Sequence, residues 1–149
     1  MKKIILSAAI MLALFSAAFA NYGSDITDRA TASFHKDFIR VSEMRSDIIN
    51  NHVRVTFKEN NETRYAYYDF QGNLIGVVQH ILTSALPEDL QKDIRKHYSN
   101  YWVTELFQVT TEEGVYYYIQ LTNAEETVVL NSEGNYGWQR YMLKKAANL

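Results

Sequence analysis

The chain carries one structural pattern twice, and that doubling limits the folds open to it more than any other feature. Phe34-His35-Lys36-Asp37-Phe38 corresponds to Leu90-Gln91-Lys92-Asp93-Ile94, 56 positions on, and Gly72-Asn73 corresponds to Gly134-Asn135, 62 positions on. The second offset also sets Val53 on Val115 and Phe57 on Ile119. The difference between the offsets falls between the helix-like segment and the second strand, where a hairpin absorbs it. Each copy reads as one helix followed by a four-stranded antiparallel meander. A unit of about 50 to 60 residues buries too little apolar surface to stand comfortably alone. The expected fold class is therefore α+β: two tandem helix-plus-four-strand units forming one antiparallel sheet, with the helices packed on one face and the other face open to water.

In the first copy, Phe34, Phe38 and Val41 lie at helical spacing around His35, Lys36 and Asp37, which predicts an amphipathic helix of about two to three turns from Ala30. Asn21 to Asp28 reads as a loose polar leader. Ser42 to Ile49 is a weaker, edge-strand candidate. Val53, Val55 and Phe57 alternate with Arg54, Thr56 and Lys58, the period of a half-buried strand. Thr63 to Phe70 and Leu74 to Ile81 follow as strands, with turns at Glu59-Asn60-Asn61-Glu62 and Gln71-Gly72-Asn73, residues that tolerate left-handed backbone. In the second copy, Pro87 sits where a helix takes its first residue and Glu88 and Asp89 follow in the first turn. Leu90, Ile94 and Tyr98 then recur at i, i+4 and i+8, predicting a helix over 87–98. Trp102 to Thr110, Val115 to Leu121, Thr127 to Leu130 and Tyr136 to Met142 read as four strands. The pattern leaves open which faces carry Trp102 and Trp138.

The N-terminus has a separate meaning. Lys2 and Lys3 precede an apolar run from Ile4 to Phe15 and then Ala18-Phe19-Ala20, the three regions of a secretory signal peptide cut after Ala20. The run is shorter than the ~20 residues that cross a bilayer. The expected organisation is a signal peptide at 1–20, a leader at 21–30, one domain at 31–142 with repeat units at 31–82 and 84–142, and a tail at 143–149. Removing Lys2 and Lys3 leaves 13 basic residues against 17 acidic ones, a net charge of -4. An acidic chain with dispersed basic residues is a poor nucleic-acid binder. There is no Cys, which rules out disulfides, Cys-based zinc sites and thiol catalysis. The simplest address is the periplasm or the exterior of a bacterium, with no membrane anchor after cleavage.

Catalytic signatures are missing. His35, His52, His80 and His97 have no second histidine at i+2, i+3 or i+4, so neither a metal nor another cofactor is expected. Glu112-Glu113 and Glu125-Glu126 fall in predicted turns, where acids are simply solvated. No nucleophile elbow or phosphate-cradling glycine loop occurs, and the chain is not expected to be an enzyme. The tyrosines are more informative. Alternation turns Val115, Tyr117, Ile119 and Leu121 towards the helices and Tyr116, Tyr118 and Gln120 away from them. By the same parity Ala66, Tyr68 and Phe70 face inward, and Tyr65, Tyr67 and Asp69 outward. Tyr65, Tyr67, Tyr116 and Tyr118 are thus the candidate binding residues, since a tyrosine can stand in water and still supply contact area to a partner. The alternative is that cross-strand tyrosine pairs only stabilise the sheet, at about 0.2–1 kcal/mol each. The expected function is contact with a periplasmic or secreted protein or peptide. The alternative is a small-ligand carrier or sensor with a pocket between sheet and helices.

Several of these motifs occur together in a known group. Ser33-Phe34-His35-Lys36-Asp37-Phe38, Arg64-Tyr65-Ala66-Tyr67-Tyr68-Asp69 followed by Gln71-Gly72-Asn73-Leu74, the Ala85-Leu86-Pro87 helix entry and Gly114-Val115-Tyr116-Tyr117-Tyr118 resemble the PepSY-like, or beta-lactamase-inhibitor-protein-like (BLIP-like), small secreted bacterial proteins. The resemblance runs from about Thr31 to Met142, and it rests on the order and spacing of the motifs. It implies tandem helix-plus-four-strand units and an inhibitor-like grip on a partner through the aromatic face of the sheet. The inhibitor that lends the group its name carries disulfides, which this chain lacks, and no inhibitory residue carries over.

Overall fold

Val53, Val55 and Phe57 are fully buried, while Arg54, Thr56 and Lys58 between them are half exposed, as period-two alternation requires of a strand covered on one side. That strand belongs to a computed structural model that describes residues 24–134 and 136–141. The expected signal peptide with its cut after Ala20, the first residues of the leader and the C-terminal tail lie outside those residues. The elements are α1 (Ser24–Asp37), β1 (Ser42–Ile49), β2 (His52–Glu59), β3 (Glu62–Tyr68), β4 (Leu74–His80), a 3-10 turn (Thr83–Ala85), α2 (Glu88–His97), β5 (Trp102–Thr111), β6 (Gly114–Thr122), β7 (Thr127–Glu133) and β8 (Gln139–Arg140). Among the described residues, two helices and an antiparallel sheet whose eight strands keep sequence order make the fold α+β. The chain divides into two compact units: residues up to Gln79 together with Thr110–Glu113, and His80–Val109 together with the chain from Gly114.

In the first unit, α1 packs on β2 through aromatic rings. Phe34 meets Phe57 edge to face and stacks on Phe38, each at 4.9 Å between centroids. The helix starts at Ser24 rather than near Ala30, so most of the expected leader is helical. Ile26, Ala30 and Phe34, at i, i+4 and i+8, all reach the same core, and Asp25 in the first turn and Lys36 in the last complement the helix dipole. Phe38 and Val41 lie past the helix end, yet both pack against that core. The turn after β2 places Asn60 and Asn61 at φ 52° and 66°, the left-handed pair that lets a two-residue hairpin match the strand twist. On β1, Glu43 at φ 52° interrupts the register with β2, a bulge that blunts an edge strand.

The turn between β3 and β4 is tied to α1. The Asp69 carboxylate accepts the backbone N–H of Gln71 at 2.9 Å and of Asn73 at 2.8 Å, and also the Asn73 side-chain amide at 2.8 Å. Partial burial by itself would raise the Asp69 pKa, but these hydrogen bonds outweigh it and hold the carboxyl below the usual range. Gly72 sits at φ +88°, and a Cβ there would lie 3.1 Å from Ser33 Oγ and 3.2 Å from the Arg29 carbonyl oxygen.

In the second unit, Leu86, Leu90, Leu106, Ile119, Leu121, Val128 and Leu130 form the core. Pro87 caps α2 from an extended conformation, φ -50° and ψ 141°, instead of occupying its first turn. The strand expected over Tyr136 to Met142 shrinks to Gln139–Arg140. Gly134 and Gly137 turn the chain at φ 58° and 90°. Trp138 then swings towards α2, where its indole Nε1 donates to the Leu90 carbonyl at 3.0 Å. That contact decides the face of Trp138, while Trp102 stands 66% exposed.

Two substitutions test this packing in urea unfolding. Gly72→Ala, strained in φ and crowded by α1, is expected to lose about 1–3 kcal/mol. Phe34→Ala is expected to lose about 3–5 kcal/mol. An unchanged midpoint for Gly72→Ala would mean that the turn does not bear on the helix.

Candidate functional site

The strand register decides which side chains of the first unit stand away from α1. Arg45 pairs with Thr56 and Asp47 with Arg54 across β1 and β2, Thr56 with Tyr65 and Arg54 with Tyr67 across β2 and β3, and Tyr65 with Val78 and Tyr67 with Gly76 across β3 and β4. Arg45, Asp47, Arg54, Thr56, Tyr65, Tyr67 and Val78 therefore share the face opposite the Val53-Val55-Phe57 core. Tyr65 and Tyr67 point where alternation sends them, but their depth differs from expectation. Tyr65 is half-buried and Tyr67 is fully buried. β3 lies between β2 and β4, so a large ring on it is flanked on both sides, and Gly76 opposite Tyr67 adds no side chain of its own.

Arg54 organises this face. Its guanidinium lies 5.6 Å from the centroid of the Tyr65 ring, a cation–π distance. Its Nη2 is 3.4 Å from Asp47 Oδ2, while Asp47 Oδ1 takes Arg45 Nη2 at 3.1 Å and Nε at 3.3 Å. One carboxylate thus serves two guanidiniums. Arg54 Nε and the Tyr67 hydroxyl are buried without a hydrogen bond of good geometry among the described residues, although the guanidinium lies near enough to the phenol oxygen to act on it as a donor. Burial pushes the Tyr67 phenol up to about 12, against the opposing pull of the Arg54 charge and of Arg54 as a hydrogen-bond donor. Tyr68, on the helix side, makes the contrast: its hydroxyl donates to Asp37 Oδ2 at 3.0 Å, and burial and that carboxylate both raise its pKa.

In the second unit Tyr117, Ile119 and Leu121 join the α2 core, as alternation predicts, while Val115 is half-buried outside it. Tyr116 and Tyr118 point away from α2, but they are buried, at 9% and 1% exposure, not open to water. β6 is an interior strand, paired from Tyr116 to Thr122 with β7. The backbone N–H of Tyr141 donates to the Val129 carbonyl at 2.8 Å, bringing the Tyr141 ring edge-on to Tyr118 at 5.7 Å. The His80 ring lies 4.3 Å from Phe107, and its Nδ1 is 3.7 Å from Glu105.

The sequence-level carboxylate pairs do not converge. Glu112 and Glu113 are exposed in a turn. Glu126 accepts the Tyr101 hydroxyl at 2.6 Å, which raises that phenol's pKa, and meets Arg140 at 3.7 Å. Among the described residues no group of three or more His, Asp or Glu side chains gathers as a metal site. The residue that sequence reasoning passed over is Arg54. Its signal was its parity, an arginine at mid-strand on the same side as Tyr65 and Tyr67.

These geometries belong to a fold seen in other chains. A BLIP-like protein from Bacteroides fragilis NCTC 9343 superposes with a TM-score of 0.68 at 10% identity, over 89% of this chain and 94% of that one. A DUF2874 family protein from Bacteroides uniformis ATCC 8492 gives 0.69 at 10% identity, over 80% and 90%. A candidate periplasmic protein from Bacteroides eggerthii DSM 20697 gives 0.69 at 10% identity, over 83% and 90%. No family model and no curated protein matches the chain. The chain has the BLIP-like fold, and at this identity the likeness is one of fold.

The two buried tyrosines make opposite predictions. Tyr67→Phe removes a hydroxyl whose O–H has no acceptor and is expected to leave stability unchanged or raise it by up to about 1 kcal/mol, whereas Tyr68→Phe is expected to lose about 0.5–1.5 kcal/mol. The folded pKa of Tyr67 lies above its ordinary 10.0, so its contribution is complete below pH 10 and is lost as pH rises towards 12. An ultraviolet alkaline titration should lose one late-ionising phenol in Tyr67→Phe. A loss above about 1 kcal/mol in that variant would show that the hydroxyl has a partner.

Proposed function

We propose that the protein is a non-enzymatic binding module of the periplasm or the cell exterior, contacting a protein or peptide through the sheet face turned away from its helices. The observation that carries this reading is the first unit's far face, where Arg54 is braced between Tyr65 and Asp47. Tyr and Arg held in fixed geometry are the residue types that anchor interfaces, because little side-chain entropy remains to be lost on binding. The signal-like N-terminus supports export, as does the fold shared with a candidate periplasmic protein. Among the described residues no helix is long and apolar enough to cross a membrane. The ionisable clusters Arg45-Asp47-Arg54 and Tyr101-Glu126-Arg140 are ion-paired or hydrogen-bonded and set no nucleophile beside a base. The order of elements, one helix before four strands in each half, supports reading the chain as two copies of one ancestral unit. An inhibitor-like grip is one form the contact could take.

Because Tyr67, Tyr116 and Tyr118 are buried, replacing all four candidate tyrosines would disturb packing, and half-buried Tyr65 is the informative position. Affinity capture from periplasmic extract, read by mass spectrometry, should recover one stoichiometric partner with the wild type. Recovery should fall at least about tenfold with Tyr65→Ser, the effect of losing an interface anchor. Tyr136→Ser, at an 85% exposed loop position, should capture as the wild type does. Full capture by a folded Tyr65→Ser variant would remove this face from the interface.

A further inference from the structure

We infer that the far face of the first unit takes a carboxylate, the side chain of an acidic residue in a partner peptide, on Arg54 and Tyr67. The inference rests on the binding reading above and specifies its chemistry. Arg45, Arg54 and Lys58 face two carboxylates, Asp47 and Glu43, with Glu43 held by Lys58 at 2.7 Å. Lys58 is thereby neutralised, and two arginines are left to divide Asp47. Arg45 holds Asp47 through two hydrogen bonds, at 3.1 and 3.3 Å, and Arg54 only through one longer contact at 3.4 Å. Arg54 is therefore the less neutralised of the two.

The unmet groups point the same way. Arg54 Nε and the Tyr67 hydroxyl occupy directly paired positions on β2 and β3. A guanidinium N–H can only donate. With burial holding its pKa high, the phenol also remains a donor at neutral pH. The phenol oxygen can accept from Arg54, but its own O–H has no acceptor, and a charge-assisted one answers both that donor and the uncompensated positive charge. The Arg54 side chain is 26% exposed, so a carboxylate reaches the outer edge of the guanidinium from solvent. Arg54 Nε and the Tyr67 hydroxyl are both covered in the free protein, so binding is coupled to a rotation about the terminal bonds of Arg54 that presents them to the same oxygen pair. The Tyr65 ring beneath Arg54 keeps the fork in place and offers apolar contact to whatever flanks the acid.

The test uses two probes that differ only in the acid: N-acetyl-tyrosyl-glutamate amide and its glutamine counterpart, titrated into the isotope-labelled protein and followed by nuclear magnetic resonance. The Glu peptide should shift the Arg54 Nε–H and the Tyr65 and Tyr67 signals saturably and bind at least about tenfold tighter than the Gln peptide, the weight of one hydrogen bond to a charged group. Arg54→Gln should remove that preference with the circular dichroism unchanged. Asp47→Asn, which deletes the internal competitor, should strengthen the Glu peptide severalfold, an effect that a merely structural Arg54 would not give. Equal binding of the two peptides at this face would overturn the carboxylate and leave the aromatic binding reading standing. Shifts confined to other surfaces, or absent with both peptides, would overturn the carboxylate site, and the capture experiment would then decide the broader reading separately.

Discussion

Phe34 against Phe57 is the contact on which the first unit turns. α1 is polar over most of its surface and, at 14 residues, is close to the length at which isolated helices are marginal in water. It holds because Ile26, Ala30 and Phe34 find a continuous apolar stripe in Val53, Val55 and Phe57. That stripe exists only in one register. A slip of one residue would turn Arg54 and Thr56 towards the helix and strand the valines on the other side. The helix therefore also determines which residues stand on the far face. Arg54, Tyr65 and Tyr67 come together there because their neighbours in sequence are needed in the core.

The second unit reaches the same end with less apolar material on its helix. Leu90 is the one fully covered residue of α2. Anchoring is shared with Leu86 before the helix and with Trp138, whose indole closes over the Leu90 carbonyl. The exposed side of α2 is laced by Glu88–Lys92 at 2.8 Å and Asp93–His97 at 2.6 Å. Such i,i+4 pairs are solvent-screened and add little, so burial of Leu90 remains the larger effect. The clamp has a structural consequence. Drawing Trp138 to α2 takes it out of any extended run, and β8 is left two residues long.

What could be read from the residues was whatever is decided locally. The alternation of β2, the paired asparagines of the first hairpin and the Leu90-Ile94 spacing of α2 each carry their own cause within a few positions, and even weakly patterned Ser42 to Ile49 emerged with those bounds. The start of α1 escaped because Ile26 is separated from Ala30 by polar residues and its partner surface lies on another element. The shortening of β8 escaped because it follows from a tertiary hydrogen bond. The tyrosines were legible in direction and not in depth. Parity says which side of a sheet a ring leaves from, but whether it is covered depends on the strands beside it, and β3 and β6 are interior.

The same distinction explains why the candidate site centres on an arginine. On a far face that served stability alone, position 67 would keep or gain stability as Phe, by up to about 1 kcal/mol, since a buried O–H without an acceptor is costly. A second acid beside Arg54 would relieve the sharing of Asp47. Neither is present. The aromatic bulk of Tyr65 and Tyr67 contributes to sheet packing whether or not their hydroxyls are used, so packing accounts for the rings. It does not account for a buried phenol O–H left without an acceptor beside an under-neutralised guanidinium. A face with surplus positive charge and surplus donors is complementary to one kind of group, and that complementarity, more than the number of tyrosines, gives it a chemical preference.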